Sequence, residues 1–202
     1  MEINSSFYRP HRPATYARWA ASVGQDFRFA VKLPREISHE RKLVEVEEPL
    51  ARFLSEAGML GDRFGPILMQ LPPSLRYVEP CVAGFLELLR ARYRGDVVCE
   101  PRHASWFTDD ADELLSRYRI ARVAADPAVV PCAAVPGGWP GLAYWRLHGA
   151  PKTYYSAYPP EYIEATAQAM RETSIQQCWC IFDNTADGEA AGNALSLGPE
   201  TR

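Results

Sequence analysis

The sequence contains no Cys-x-x-Cys pair. Cys81, Cys99, Cys132, Cys178 and Cys180 are odd in number and scattered, which excludes the disulfide frame of a small secreted domain. The Cys178-x-Cys180 spacing lacks the second pair or the clustered histidines that a zinc site needs. No apolar run approaches the ~20 residues that span a bilayer. The start, MEINSSFYRP, has no basic stretch leading into an apolar one, so no secretory signal is read and a reducing cytoplasm is expected. Positive charge is not in excess: 22 Lys and Arg stand against 25 Asp and Glu, a net charge of -3. That excludes a protein that coats nucleic acid indiscriminately, while leaving room for a local cationic cleft. No G-x-G-x-x-G, Walker A or G-x-S-x-G pattern occurs. What the chain does have is length and grease: 202 residues, 47% of them hydrophobic, enough for one buried core.

Apolar periodicity alternates along that length. Short runs at Ile3–Tyr8, Phe27–Leu33, Ile67–Leu71, Val97–Glu100, Ile120–Ala125, Leu142–His148 and Cys178–Asp183 read as strands. Between them Thr15–Val23, Val46–Leu60, Cys81–Tyr93, Asp109–Tyr118, Pro159–Arg171 and Asp187–Leu195 carry helical stripes. Asp109 and the Pro159–Pro160 pair mark helix starts, and Gly61, Gly95 and Gly198 mark stops. Seven strands interleaved with helices, with no linker between them, predict one α/β domain over residues 1–202 with a parallel sheet. A closed (β/α)₈ barrel needs one more unit and about 200–250 residues. Pro127–Gly141, without a period, predicts a loop or small hairpin.

Strand side chains alternate faces, and that parity sorts the polar residues. Glu2, Asn4, Ser6 and Tyr8 share one face of the first strand. Lys32 opposes Val31 and Leu33, and Gln70 opposes Met69 and Leu71. Glu100 shares a face with Arg102, and Tyr144, Arg146 and His148 share another. If the greasy faces meet the helices, the polar set points inward near the strand C-termini, where barrel enzymes keep their chemistry. Buried charges there must pair with each other or hold a ligand. Arg9, Arg12, Lys32, Arg35, Arg102, Arg146 and Lys152 outnumber Glu36, Glu100, Asp126 and Asp183 around this mouth, which predicts an anionic ligand. Glu100 and His148 are the candidate acid–base pair. His39, His103, Glu100, Asp126 and Asp183 have metal-ligand chemistry without metal-ligand spacing, so no metal is assigned and no cofactor is named.

Six blocks, EINSSFYR from Glu2, KLPREISH from Lys32, LMQLPPS from Leu68, EPRHASW from Glu100, YWRLHG from Tyr144 and FDNTADGEAAGNAL from Phe182, stand in an order that closely resembles the YecE-like family, a domain-of-unknown-function family. The resemblance runs from residue 2 to about residue 197. It implies a TIM-like (β/α) barrel with a shared polar site onto which Asn4, Tyr8, Lys32, Gln70, Glu100, Arg102, His103, Arg146, His148 and Asn184 map. It implies no activity. Family members open with an extra strand and helix before the EINS segment, so the resemblance implies a barrel short of its first βα unit, with open edges that could pair copies of the chain into a homo-oligomer.

Three functions follow. The first is an enzyme, a hydrolase or lyase, acting on an anionic small molecule or phosphodiester: Glu100 and His148 move protons, and Asn4, Tyr8, Lys32, Gln70, Arg102, His103, Arg146 and Asn184 bind. The second is a nucleic-acid binder without catalysis. The third is a truncated barrel with no activity of its own. No membrane partner is expected.

Overall fold

The computed structural model describes residues 1–175 and 177–198. Four strands run parallel in sequence order: β1 (Glu2–Ile3), β2 (Phe29–Lys32), β3 (Phe64–Gln70) and β4 (Val97–Glu100). β5 (Ile120–Arg122) continues the parallel run, and β7 (Gly137–Gly138) closes that edge antiparallel. A second, parallel sheet comprises β6 (Ala124–Asp126), β8 (Ala143–Leu147) and β9 (Cys178–Phe182), in the order β6-β8-β9. β2 and β4 are buried along their whole length, as strands covered on both faces must be.

The helices follow the predicted stripes. α2 (Glu47–Ala57) buries Leu50, Phe53 and Ala57 and opens with Glu47 and Glu48, which favour the positive end of its dipole. α3 (Glu79–Arg92) buries Val82, Phe85, Leu86 and Leu89. α4 (Asp109–Arg117) is capped by Thr108, which accepts from the Ala111 N–H, one residue before the predicted start. α1 (Pro13–Ala21), α5 (Pro160–Glu172) and α6 (Glu189–Leu197) complete the set. The helix-facing sides of β2, β3 and β4 contribute Val31, Met69 and Cys99 to the large core. Their opposite sides contribute Ala30, Leu68 and Val98 to a smaller interior shared with Tyr144 of the second sheet and with Leu142 just before β8.

Two expectations need correction. The first strand ends at Ile3 instead of Tyr8, because Ser5–Phe7 turns into a short 3-10 helix. The Ser6 hydroxyl donates to the Ile3 and Lys32 carbonyls, at 3.1 and 2.7 Å, competing with a continued ladder. The Ile120–Ala125 strand breaks at Val123, so one segment serves both sheets as β5 and β6. No closed barrel is seen among the described residues: β1 and β9 each have one strand neighbour. The fold is mixed α/β with a mostly parallel sheet. Within the Pro127–Gly141 stretch the small strand β7 approaches β5 so closely that a Cβ on Gly138 would meet the Ile120 carbonyl at 2.7 Å, and its φ of +64° is one glycine tolerates.

Candidate functional site

Arg146 stands at the centre of the polar residues that β-strand parity turns inward. Its guanidinium, fully buried, spans both sheets: Nη2 lies 2.7 Å from Glu2 Oε1 on β1, and Nε donates to Glu2 Oε2 at 3.1 Å. Nη2 also reaches Asp183 Oδ2, just past β9, at 2.8 Å, and Nη1 reaches Glu100 Oε2 on β4 at 3.2 Å. The Tyr144 hydroxyl donates to Glu2 as well. Three carboxylates therefore meet one planar fork, an arrangement only arginine can satisfy.

His148 is held between two of those carboxylates. Nε2 is 2.8 Å from Glu100 Oε1 and Nδ1 is 3.1 Å from Asp183 Oδ2, and the ring is buried. Burial alone would lower its pKa, but the hydrogen bonds to Asp183 and Glu100 outweigh it and the pKa rises. Both ring nitrogens face carboxylate oxygens, with Arg146 Nη1 at 3.4 and 3.3 Å from Nδ1 and Nε2, and the two carboxylate bonds are made together when both nitrogens carry a proton. Burial pushes the Glu100 carboxyl up, yet Arg146, His148 and Arg102 together bring it down to about 2. Its two oxygens accept from Gln70, Arg102, Arg146 and His148. Asp183 is likewise held below its ordinary range: burial raises it, and the His148 bond and Arg146 more than compensate.

Lys32, at the C-terminal end of β2, is 5% exposed. Its ammonium sits 4.2 Å over the Phe7 ring and has no hydrogen-bond or ion-pair partner among the described residues. Burial and the repulsion of Arg146 lower its pKa to about 8, against the pull of Glu2, Glu100 and Asp183. Arg102 bonds Glu100 at 3.1 Å and keeps a fifth of its side chain in solvent.

Glu100, Lys32, Gln70, Arg102, Arg146 and His148 thus converge, and Asn4 joins them by donating to Asp183 at 3.4 Å. Its own Oδ1 is buried with no partner. The other three predicted residues lie elsewhere. Tyr8 is 74% exposed, because the 3-10 turn rotates it outward and brings Phe7 in. His103 accepts from the Ser105 N–H and caps the 3-10 helix Ala104–Trp106. Asn184 is buried, tying the Ser156 carbonyl to Asn193 of α6. The predicted cationic mouth also shrinks: Arg9, Arg12 and Lys152 are exposed, and Arg35 pairs with Glu40 on the surface. Glu36 binds Arg41 and Arg52 there, and Asp126 accepts from Tyr158.

Glu2, Asp183 and Phe7 join the cluster without a binding or catalytic role assigned from the sequence, although the sequence sets Asp183 among the acids of the mouth. Glu2 shares its strand face with Asn4, and a set of inward cations demands carboxylates; those two signals pointed to it. Nothing local pointed to Phe7. The loop after β8 covers the cluster: Tyr154 stands edge-on to the His148 ring at 5.8 Å, and its N–H donates to the His148 carbonyl. Beside Phe7 opens a cleft of about 150 Å³ lined by Ser6, Tyr8, Arg9, Arg35 and Phe53 among others. A larger hollow of about 580 Å³, at Gln25–Arg28 and Asp62–Arg63, lies at the opposite strand ends, away from this chemistry. Among the described residues no three His, Cys, Asp or Glu side chains form a metal shell, and no helix is long and apolar enough to cross a membrane.

Comparison with known proteins places this geometry in context. The family model described as "Protein of unknown function DUF72" matches residues 1–201. The UPF0759 protein YecE of Escherichia coli (strain K12) is 31% identical over 114 residues, which is 56% of this chain and 41% of that protein, so the match spans less than half of that relative's length. A DUF72 family protein of Enterococcus faecalis V583 superposes with a TM-score of 0.81 at 21% identity, over 97% of this chain and 82% of its own. One from Thermotoga maritima MSB8 gives 0.80 at 24% identity, over the same shares.

Proposed function

The chain belongs to the family described as protein of unknown function DUF72, and from that premise we propose that it binds a small phosphate- or carboxylate-bearing molecule at the C-terminal ends of its parallel strands and acts on it as a hydrolase or lyase. The observation that carries this reading is a charge left over. Glu2, Glu100 and Asp183 are balanced by Arg102, Arg146 and a doubly protonated His148, and every one of those carboxylates is bonded within that set. Lys32 remains, buried and without an acceptor among the described residues. A buried charge without a partner costs several kcal/mol, and an incoming anion recovers that cost. Arg102, with one nitrogen committed and an edge in solvent, is the second anchor.

His148 is the proton carrier in this scheme, and Glu100 and Asp183 orient it, the division of labour seen wherever a carboxylate fixes an imidazole. Glu100 itself, saturated by four donors and held ionised, serves as that orienting partner. We also read the two sheets as walls of one TIM-like barrel. The shared interior supports this, as does Trp179 of β9, whose indole lies against Gly65 of β3.

Titration calorimetry with inorganic phosphate tests the reading. Saturable binding is expected, weakened about tenfold by Arg102→Gln, the loss of one charge-assisted bond. Absence of binding by both phosphate and pyruvate sinks it. A bound oligonucleotide with a steep salt dependence favours a nucleic-acid binder instead.

A further inference from the structure

We propose that Lys32 is a covalent catalyst: its amine forms a Schiff base with a small anionic carbonyl compound, a 2-oxo acid or a phosphorylated ketone or aldehyde, bound in the mouth above Arg146 and Arg102. This rests on the anion-site reading and narrows it to carbonyl substrates and a lyase.

Composition frames the argument. Of the 22 basic residues only Lys32, Lys42 and Lys152 are lysines. Apart from His148, the buried or multiply bonded cations among the described residues include three arginines: Arg146 in the cluster, Arg122 against Asp112, and Arg90 on four carbonyl groups. Lys42 and Lys152 are exposed. The one lysine placed inside the protein therefore occupies a position where a guanidinium would supply the same charge with more bonds. What the guanidinium lacks is a removable proton. Lysines are seldom buried without a pair, and this one rests on an aromatic face with no acceptor for its N–H groups among the described residues. Desolvation beside a second cation is the environment that frees an amine as a nucleophile, and Arg146 is that cation.

The surroundings suit the reaction. The backbone of Lys32 is pinned by Ser6, whose hydroxyl donates to its carbonyl at 2.7 Å. Phe7 carries the ammonium over its ring and also lines the cleft together with Tyr8 and Arg9, while Lys32 itself is 5% exposed. In the step itself the ammonium sheds a proton and the nitrogen lone pair attacks the carbonyl carbon. A C–N bond forms as the C–O π pair moves to oxygen, giving a carbinolamine. Its hydroxyl takes up a proton equal to the one shed and leaves as water, with the nitrogen pair closing the protonated imine. Ammonium plus carbonyl become iminium plus water, with no oxidant or reductant required. The imine then draws electrons from the neighbouring carbon, the property that makes carbon–carbon or carbon–oxygen cleavage accessible. His148, bonded to the same Glu100 and Asp183 whose charges act on Lys32, is the group with a proton to give.

The full chain is incubated with pyruvate or dihydroxyacetone phosphate and cyanoborohydride, then digested with trypsin. Trypsin does not cut after an alkylated lysine, so an adduct at Lys32 appears as an uncut Phe29–Arg35 peptide. We expect Lys32 to be modified at least about tenfold faster than Lys42 or Lys152, since a lowered pKa exposes proportionately more free amine. Lys32→Arg abolishes that adduct, and Lys42→Arg with Lys152→Arg leaves it. Modification confined to Lys42, Lys152 and the Met1 amine overturns the proposal. If phosphate binds by calorimetry and Lys32 stays unmodified, the covalent role falls and the anion site stands. If neither occurs, both fall. Acetone labelling Lys32 as fast as pyruvate overturns the anionic substrate class.

Discussion

Arg146 illustrates how much one side chain can be asked to do. Its removal strands Glu2, Glu100 and Asp183 in a buried space, and breaking a buried pair from one side costs about 3–5 kcal/mol. Arg146→Met is therefore expected to lower the urea midpoint by that equivalent, and Arg146→Lys to recover part of it, since an ammonium keeps the charge and loses the fork. The titrating residues give stability a shaped pH profile. Glu100, pushed from 4.5 down to about 2 by partners that outweigh its burial, contributes stability that is complete above pH 4.5 and is lost as pH falls towards 2. His148, raised above 6.5, contributes stability that is complete below pH 6.5 and is lost as pH rises through its elevated pKa. Lys32 acts in the other direction. Its pKa falls from 10.5 to about 8, so its share of stability grows as pH climbs between those values. Urea midpoints against pH should show His148→Gln removing the neutral-to-alkaline decline and Lys32→Met removing the alkaline rise.

The elements around the cluster are constrained most tightly in the loop after β8. Gly149 has φ of +93°, and a Cβ there would lie 2.9 Å from the Ser156 carbonyl and 3.1 Å from the Asn184 Cβ. Gly149→Ala should cost about 1–3 kcal/mol and displace Tyr154 from His148, visible as a lower melting temperature together with weaker phosphate binding. Tyr154 itself has φ of +71° and is held there by its N–H bond to the His148 carbonyl. At this scale strand parity was legible wherever a strand kept going: Val31 and Lys32, Met69 and Gln70, Trp145 and Arg146 all face as the alternation predicts. It failed at Ser5–Phe7, where a hydroxyl reaching the neighbouring strand turned the chain, exchanging Tyr8 for Phe7 at the site. Such a bond joins residues far apart in sequence, and no local pattern reports it.

Across the whole molecule the notable feature is a pair of strand edges. On β9 the Gln177 carbonyl and the Asp183 N–H bond to β8, so alternation turns the backbone groups of Cys178, Cys180 and Phe182 the other way, where no strand pairs with them among the described residues. Free edges of this kind template association. The chain is expected to self-associate with rising concentration, and Cys178→Pro, which removes an outward N–H at a strand start, should shift it towards monomer in light scattering. Unchanged mass over the whole concentration range counts against that edge as the contact.

Alternation of grease and charge along the chain determined, without any structure, that the fold is α/β, that its strands run largely parallel, and that Lys32, Gln70, Glu100, Arg102, Arg146 and His148 share an interior. Period-two and period-3.6 patterns are local, and burial enforces them residue by residue. The tertiary structure alone decided which charges meet. Glu2 and Asp183 enter the cluster from the two strands at opposite ends of the chain, and Tyr8, His103 and Asn184 leave it. Only that arrangement leaves the Lys32 ammonium without a bonded acceptor among the described residues, because pairing depends on distances across sheets, which no spacing along one strand encodes.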